Sequence, residues 1–334
     1  MADLSAEKQD ILLESGTNEL EIIEFQLQRQ LPDGKTKTTH YGINVAKVRE
    51  IINVPEATEY PNAHPSVMGI FSLRDRLIPL VDLGEWLKVP VDEDLKDKRV
   101  IVTEFNRMLN GFLVDSVSRI YRLSWENVES PNQFLESRES DCVVAVVRME
   151  NRLIMILDFE RIIADINPEQ SMERYDVLQD KKIVHDEHMM ARRQSKTILI
   201  VDDSAFVRKL IDTTLRTAGY NVIACHDGAE AHDMLMEFEQ TAKAEGQPIG
   251  EMVNLLVSDV EMPRMDGMHL LNRLRKHEVY ATLPILMFSS IMSEENRRKA
   301  LELGANDTVT KPDIGKLVAI VDSHIFNDAN SHEP

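Results

Sequence analysis

From Thr197 onward the chain follows an alternation that leaves few folds open. The apolar runs TILIV, NVIAC, NLLVSD, PILMFS and DTVTK are each followed by a stretch whose apolar residues recur at helical spacing. A run apolar at every position, such as TILIV, suits a strand buried on both faces. In the segment after it, Phe206, Val207, Leu210, Ile211 and Leu215 mark one face of a helix that Ser204 can cap and Gly219 can end. The other helices are expected over GAEAHDMLMEF, GMHLLNRLRK, EENRRKALEL and GKLVAIVDSHIF. Five strands alternating with five helices predict a doubly wound parallel sheet, with function at the carboxyl ends of the strands.

That expectation selects residues. Asp202 and Asp203 end the first strand, Asp259 the third, Ser289 the fourth and Lys311 the fifth, so all converge on one rim of the sheet. Three neighbouring carboxylates repel one another unless a hard cation joins them, and oxygen ligands on a solvent-accessible rim suit Mg²⁺ that keeps some of its waters. The metal and Lys311 can neutralise a transferring phosphoryl group, and Ser289 can donate a hydrogen bond to one of its oxygens. Asp259, alone at the end of the central strand, is the candidate nucleophile. A single strand-end aspartate often does no more than cap the next helix. Matching groups at four of the five strand ends are hard to explain that way.

The first half has a different rhythm. In EIIEFQLQ, Ile23, Phe25 and Leu27 alternate with Glu24, Gln26 and Gln28, as in a half-buried strand. LPDGKT supplies hairpin-turn chemistry. Further strands are expected at RLIPLVDL, RVIVTEF, GFLVDSV, DCVVAVVRM and RLIMILDF, and many short strands with little helix predict a β-barrel or sandwich. Between the halves, Asn167 to Ser195 is polar and mixed in charge and reads as a partly helical linker. His185 and His188 within it could share a helical face, but they lack acidic partners at defined spacing, and a solvated linker is the expectation. The resulting division is a tail over 1–17, a domain over 18–165, a linker over 166–195, a second domain over 196–326 and a tail over 327–334.

Charge narrows the function classes. Thirty-eight Lys and Arg against 57 Asp and Glu give a net charge of -19, which repels nucleic-acid backbones and anionic lipid. No apolar run reaches the roughly 18 to 20 residues of a membrane span, and the start MADLSAEKQD lacks the basic-then-apolar order of a secretory signal. The expectation is a cytoplasmic protein with no nucleic-acid partner and no direct membrane insertion. Cys142 and Cys225 lack zinc-site spacing and are expected to be buried small hydrophobes.

VDDS at 201–204, SDVEMPRMDG at 258–267, FSS at 288–290 and TKP at 310–312 resemble the motifs of the response-regulator receiver domain. The resemblance implies Asp259 as phospho-acceptor, carrying a 4-aspartylphosphate, and Asp202, Asp203, Asp259 and the Glu261 backbone carbonyl as Mg²⁺ ligands. It also implies Ser289 as the hydroxyl switch residue, Lys311 as the phosphoryl-contacting lysine and Pro312 at a cis-proline position. Two features depart from the family. Thr308 stands where an aromatic switch residue is common, and EQTAKAEGQPIGEM before the third strand is longer than usual, as a surface loop or a contact to the other domain. The Glu261 side chain is expected beside the water route to the phosphoryl group, where it could slow hydrolysis.

The first half resembles the CheW-like scaffold domain of bacterial chemotaxis through YGINVAKVREII at 41–52, VPEATEYPNAHPSVMGIFSLRDRLIPLVDLGEWL at 54–87 and GFLVDSV at 111–117. The resemblance implies two small SH3-like β-barrels packed together, bridging chemoreceptor cytoplasmic tips to the chemotaxis histidine kinase. Val67, Ile70, Phe71, Leu73, Leu77, Ile78, Leu80 and Val81 are expected to be mostly core, and Trp86 to pack there too. Arg74 in SLRDR matches an arginine of the family loop and is a candidate partner contact, although Ser72 and Asp75 replace that loop's asparagine and glycine. A scaffold followed by a receiver implies a phosphorylation-responsive chemotaxis adaptor, not an enzyme, at membrane-associated receptor arrays. The kinase would be both its phospho-donor and its scaffold partner, and nothing after residue 326 is long enough to serve as a separate output. One alternative is a phosphate sink for the kinase. A remoter one, a Mg²⁺-dependent phosphohydrolase, lacks a second acid placed to activate water.

Overall fold

The computed structural model describes residues 19–31, 33–89, 97–105, 108–124, 127–129, 142–149, 151–167, 187–290, 294–311 and 314–326. In the first half, two mainly antiparallel sheets lie side by side. One contains β1 (Glu19–Gln30), β2 (Thr36–Asn44), β8 (Ser116–Ser124), β9 (Val128–Glu129), β10 (Val143–Arg148) and β11 (Leu153–Leu157), in the order β8-β1-β2-β11-β10-β9. The other contains β3 (Val48–Asn53), β4 (Val67–Leu73), β5 (Arg76–Asp82), β6 (Arg99–Phe105) and β7 (Met108–Val114), in the order β3-β6-β7-β5-β4. Each sheet has its own interior: Leu20, Ile22, Leu123, Val147 and Ile154 in the first, Phe71, Ile78, Leu80, Val100 and Leu113 in the second.

A third cluster joins them. The short helix α1 (Leu83–Trp86) follows β5, and helix α2 (Phe159–Ile166) seats Phe159 among Phe25, Phe105 and Phe112, with ring centroids 6.3, 6.2 and 4.9 Å away. Ile162, Ile163 and Ile166 fill the same seam, each apolar side chain contributing roughly 2 kcal/mol by burial. Trp86 lies at the rim of this seam, half-buried, and its Nε1 donates to Asp165 Oδ2 at 3.0 Å.

Several expectations need correcting. β1 is not half-buried. Ile23, Phe25 and Leu27 enter the shared seam, while Leu20 and Ile22 enter the first sheet's interior. Glu24 is buried as well, because Arg152 grips it through Nε and Nη2 at 2.8 and 3.0 Å and His40 Nδ1 lies 2.7 Å away. GFLVDSV straddles two strands, since β7 ends at Val114 and β8 begins at Ser116. Asp115 between them turns its carboxylate to the Gln28 N–H at 2.6 Å and to Lys98 at 3.3 Å. The strand in RLIMILDF stops at Leu157. Asp158 then accepts the Arg161 N–H at 3.0 Å and starts α2, so the expected domain end at 165 falls inside that helix. Leu77 is 76% exposed rather than core, and Cys142 is only half-buried while Cys225 is buried.

The second half is the doubly wound sheet. Strands β12 (Thr197–Val201), β13 (Asn221–Cys225), β14 (Leu255–Ser258), β15 (Ile285–Ser289) and β16 (Asp307–Thr310) pair in parallel in the order β13-β12-β14-β15-β16. Helices α4 (Ala205–Thr217), α5 (Gly228–Glu245), α6 (Gly267–Lys276), α7 (Glu294–Glu302) and α8 (Ile314–Phe326) cover it, with a separate apolar cluster on each face. The long segment before β14 extends α5 to Glu245, continues through a 3-10 turn at Ile249–Glu251, and is mostly exposed.

The end of the expected linker is an ordered helix, α3 (Glu187–Arg193). Its Arg193 is buried because the guanidinium meets Asp322 of α8 at 2.9 and 2.5 Å and the Ala218 carbonyl at 3.1 Å. His188 on α3 is exposed, while His185 lies outside the described residues. No described helix is long and apolar enough to cross a membrane.

Candidate functional site at the domain junction

Parallel pairing brings the strand ends to one rim. The Asp259 N–H donates to Val201 O at 2.8 Å and the Lys311 N–H to Ser289 O at 3.0 Å, so neighbouring strands present their functional residues at one level. Lys311 Nζ reaches Asp202 Oδ2 at 2.8 Å and Asp259 Oδ2 at 2.9 Å, and all three side chains are buried. Asp202 Oδ1 accepts the Ser204 N–H at 2.9 Å, and Asp259 Oδ1 accepts the Val260 N–H at 2.6 Å. Ser289 is buried at the end of β15. Gly267 begins α6 hard against this level, where an added Cβ would lie 1.9 Å from the Asp259 carbonyl oxygen. Only glycine lets the helix start so close to the end of β14.

Asp202, Asp203 and Asp259 each offer one oxygen, all within 4.8 Å of one another. Burial pushes the Asp202 carboxyl up to about 7; Lys311 pulls it down, and Asp259 and Glu160 push it up again. The Asp203 carboxyl is also raised, by desolvation first and by Asp259 and Asp202, against the pull of Lys47. Burial would depress the Lys311 ammonium, but Asp202, Asp259 and Glu160 outweigh it and keep it well above the ordinary lysine value. Asp202 Oδ2 is buried beside Lys311 without a well-directed hydrogen bond. Crowded carboxylates, an all-oxygen donor set and an under-satisfied buried oxygen fit a hard divalent cation such as Mg²⁺.

The sequence did not reveal that the first half completes this site. Glu160, in the first turn of α2, places Oε2 3.5 Å from Lys311 Nζ. Ser204 Oγ donates to Asp158 Oδ2 at 2.7 Å, and Asn44 Nδ2 donates to Glu261 Oε2 at 3.2 Å. Lys47 stands near Glu160, Asp203, Glu261 and Asp259, and those four charges raise its ammonium even though burial opposes them. The Glu261 side chain therefore faces the first domain. Burial raises its carboxyl to about 7, with Lys47 pulling down and Asp259 and Glu160 pushing up. An Asp ahead of FERIIADI is a signal that could have marked a helix start at Asp158, but nothing in the sequence says which surface it faces.

The remaining candidates lie apart or unpaired. The Thr308 hydroxyl is buried without a hydrogen-bond partner, and Pro312 lies outside the described residues. Arg74 is at the β4–β5 turn, 80% exposed, with Nη2 3.2 Å from Glu50 Oε2. Arg74 and Asp75 adopt φ of 48° and 64°, so Asp75 takes up the left-handed backbone that a glycine would favour there.

Comparison with known proteins follows the same division. The CheW-like domain family matches residues 34–167 and the response regulator receiver domain family residues 198–322. Chemotaxis protein CheV3 of Helicobacter pylori is 35% identical over 304 residues, covering 90% of this chain and 93% of that protein. Chemotaxis protein CheV2 of the same organism is 29% identical over 310 residues, covering 89% and 92%. Sensor histidine kinase CheAY of the same organism is 23% identical over 288 residues, covering 84% of this chain but 32% of that protein.

Proposed function

The chain belongs to the CheV family of chemotaxis proteins, and on that premise we propose that it is a phosphorylation-responsive adaptor between chemoreceptors and the chemotaxis histidine kinase. In this reading residues 18–165 hold the chemoreceptor cytoplasmic tips and the kinase, with Arg74 at a partner-facing turn. Residues 196–326 accept a phosphoryl group and change how the scaffold is presented, and the protein works at the receptor arrays.

The observation that carries this reading is the buried Lys311 ammonium, held 2.9 Å from Asp259 and 2.8 Å from Asp202 at the ends of neighbouring strands. Asp259 supplies the nucleophilic carboxylate, and Lys311 balances the charge that gathers on the phosphoryl oxygens. Ser289, at the end of the next strand, donates to one of those oxygens in this reading. Mg²⁺, held by Asp202, Asp203, Asp259 and the Glu261 backbone carbonyl, would add charge neutralisation on the same face.

Co-sedimentation with receptor–kinase arrays tests the proposal, using wild type and Asp259→Ala with and without acetyl phosphate and Mg²⁺. Both proteins are expected to bind, and only wild type to change its binding or the kinase rate on phosphorylation. If wild type takes up phosphate and coupling never changes, the receiver is a phosphate sink and the adaptor reading fails at that step.

A further inference from the structure

The phosphoacceptor site is closed by the chain's own scaffold domain. Asp259 and Lys311 have side chains only 4% exposed, and Glu160, which covers them, only 8%. Two helix starts meet over the site. Ser204 Oγ accepts the Val207 N–H at 3.2 Å to cap α4 and donates to Asp158, which accepts the Arg161 N–H to cap α2. Between the domains remains a cavity of about 40 Å³, lined among others by Asn44, Lys47, Asp158, Glu160, Asp203 and Glu261. Such a space holds a few waters at most.

Glu160 is the telling residue. Its carboxylate shares one ammonium with Asp202 and Asp259, and its second oxygen is buried without a hydrogen-bond partner. An acyl phosphate on Asp259 needs that same ammonium and carries up to about two negative charges beside Glu160 and Asp158 where the carboxylate carried one. Carboxylate and phosphoryl group cannot both hold Lys311 in this enclosure without strong repulsion.

We propose that Glu160 is an internal placeholder for the phosphoryl group on Lys311, so that the scaffold domain docks over the unphosphorylated receiver and is released when Asp259 is phosphorylated. This rests on the reading of Asp259 as acceptor. In the transfer, an Asp259 carboxylate oxygen forms the new O–P bond as the donor histidine's N–P bond breaks. The imidazole keeps the bonding electron pair and takes its proton from solvent. Lys311 stays protonated throughout and exchanges the Glu160 carboxylate for a phosphoryl oxygen, while Glu160 passes to water as an anion. Linkage makes the effect reciprocal: a partner that draws α2 away from the receiver favours phosphorylation.

The test uses the full chain as wild type, Glu160→Gln and Asp259→Ala. Phosphate uptake from acetyl phosphate with Mg²⁺ is followed by mass at Asp259, and the radius of gyration is measured by small-angle scattering with and without Mg²⁺ and beryllofluoride. Glu160→Gln is expected to accept phosphate roughly tenfold faster, the change that loss of one charge-assisted contact from the closed form produces. Wild type is expected to expand with beryllofluoride, and Asp259→Ala to stay compact. If Asp259 is modified but the Glu160→Gln rate is unchanged or lower, or wild type keeps its radius, the placeholder is wrong while the acceptor stands. If no protein gains mass at Asp259, the acceptor assignment falls and the placeholder with it.

Discussion

Glu24 shows how one residue can depart from its sequence pattern and hold a sheet together. Burial alone would raise its carboxyl, but hydrogen bonds from Arg152, His40 and Tyr121 outweigh that and hold it below the ordinary glutamate value. A carboxyl lowered in the folded state stabilises fully above the unfolded value near 4.5, and that stabilisation is lost as pH falls through the lower folded value. Glu24→Gln is expected to cost roughly 2 kcal/mol at neutral pH, the weight of its charged hydrogen bonds. In urea titrations the gap between variant and wild type should shrink as the pH falls below 4.5. A gap independent of pH would mean that the charge on Glu24 contributes nothing. Alternation marks Glu24 as a solvent-facing residue because sequence cannot show that Arg152, far along the chain, arrives opposite it. The same blindness hides Glu160 and Lys47. The strand-end groups Asp202, Asp203, Asp259, Ser289 and Lys311 were legible because βα repetition alone brings them to one rim.

Elements were legible where their own periodicity settles them. TILIV and the helices after it needed no tertiary information, since apolar spacing, the Ser204 cap and the Gly219 stop agree. The scaffold strands blurred at their joints: β7 and β8 are separated by Asp115 alone, and a cap at Asp158 turns an apolar run from strand to helix. Helix α3 was legible only as a partly helical stretch of linker, its docking on the receiver being out of sight. Its sequence EHMMARR is polar, and it is held by one buried residue, Arg193, clamped to Asp322 on α8 and to the end of α4. Arg193→Ala would leave Asp322 without its guanidinium and is expected to destabilise the receiver by roughly 3 kcal/mol. Arg193→Lys should recover only part of this, because an ammonium cannot reproduce the forked contact. Chemical denaturation followed by far-ultraviolet circular dichroism reads both. An Arg193→Ala curve that overlays wild type would show α3 to be a passive neighbour.

At the scale of the molecule, the contacts between the domains beside Asp259 link the stabilities of two domains that fold around separate cores. Both tryptophans, Trp86 and Trp125, lie in the scaffold half, so tryptophan fluorescence during unfolding reports that half and not the receiver. Ser204 belongs to the receiver, yet its hydroxyl donates to the buried Asp158 of the scaffold at 2.7 Å. Ser204→Ala should therefore lower the fluorescence-detected midpoint of a domain that does not contain the mutation. Asp158→Ala lowers the same midpoint through both the lost α2 cap and the lost contact. In the Asp158→Ala background, Ser204→Ala should then shift the fluorescence transition no further. The coupling between the two sites is expected at about 1 to 2 kcal/mol, as for residues in direct contact. Adding Mg²⁺ and beryllofluoride should bring that coupling near zero, because separated domains no longer share the hydrogen bond. Additive single-mutant effects without ligand would mean the domains are independent in solution. A coupling that survives beryllofluoride would mean they remain docked when the acceptor is occupied, and the phosphoryl group would then have to act on the scaffold through a domain that has not moved.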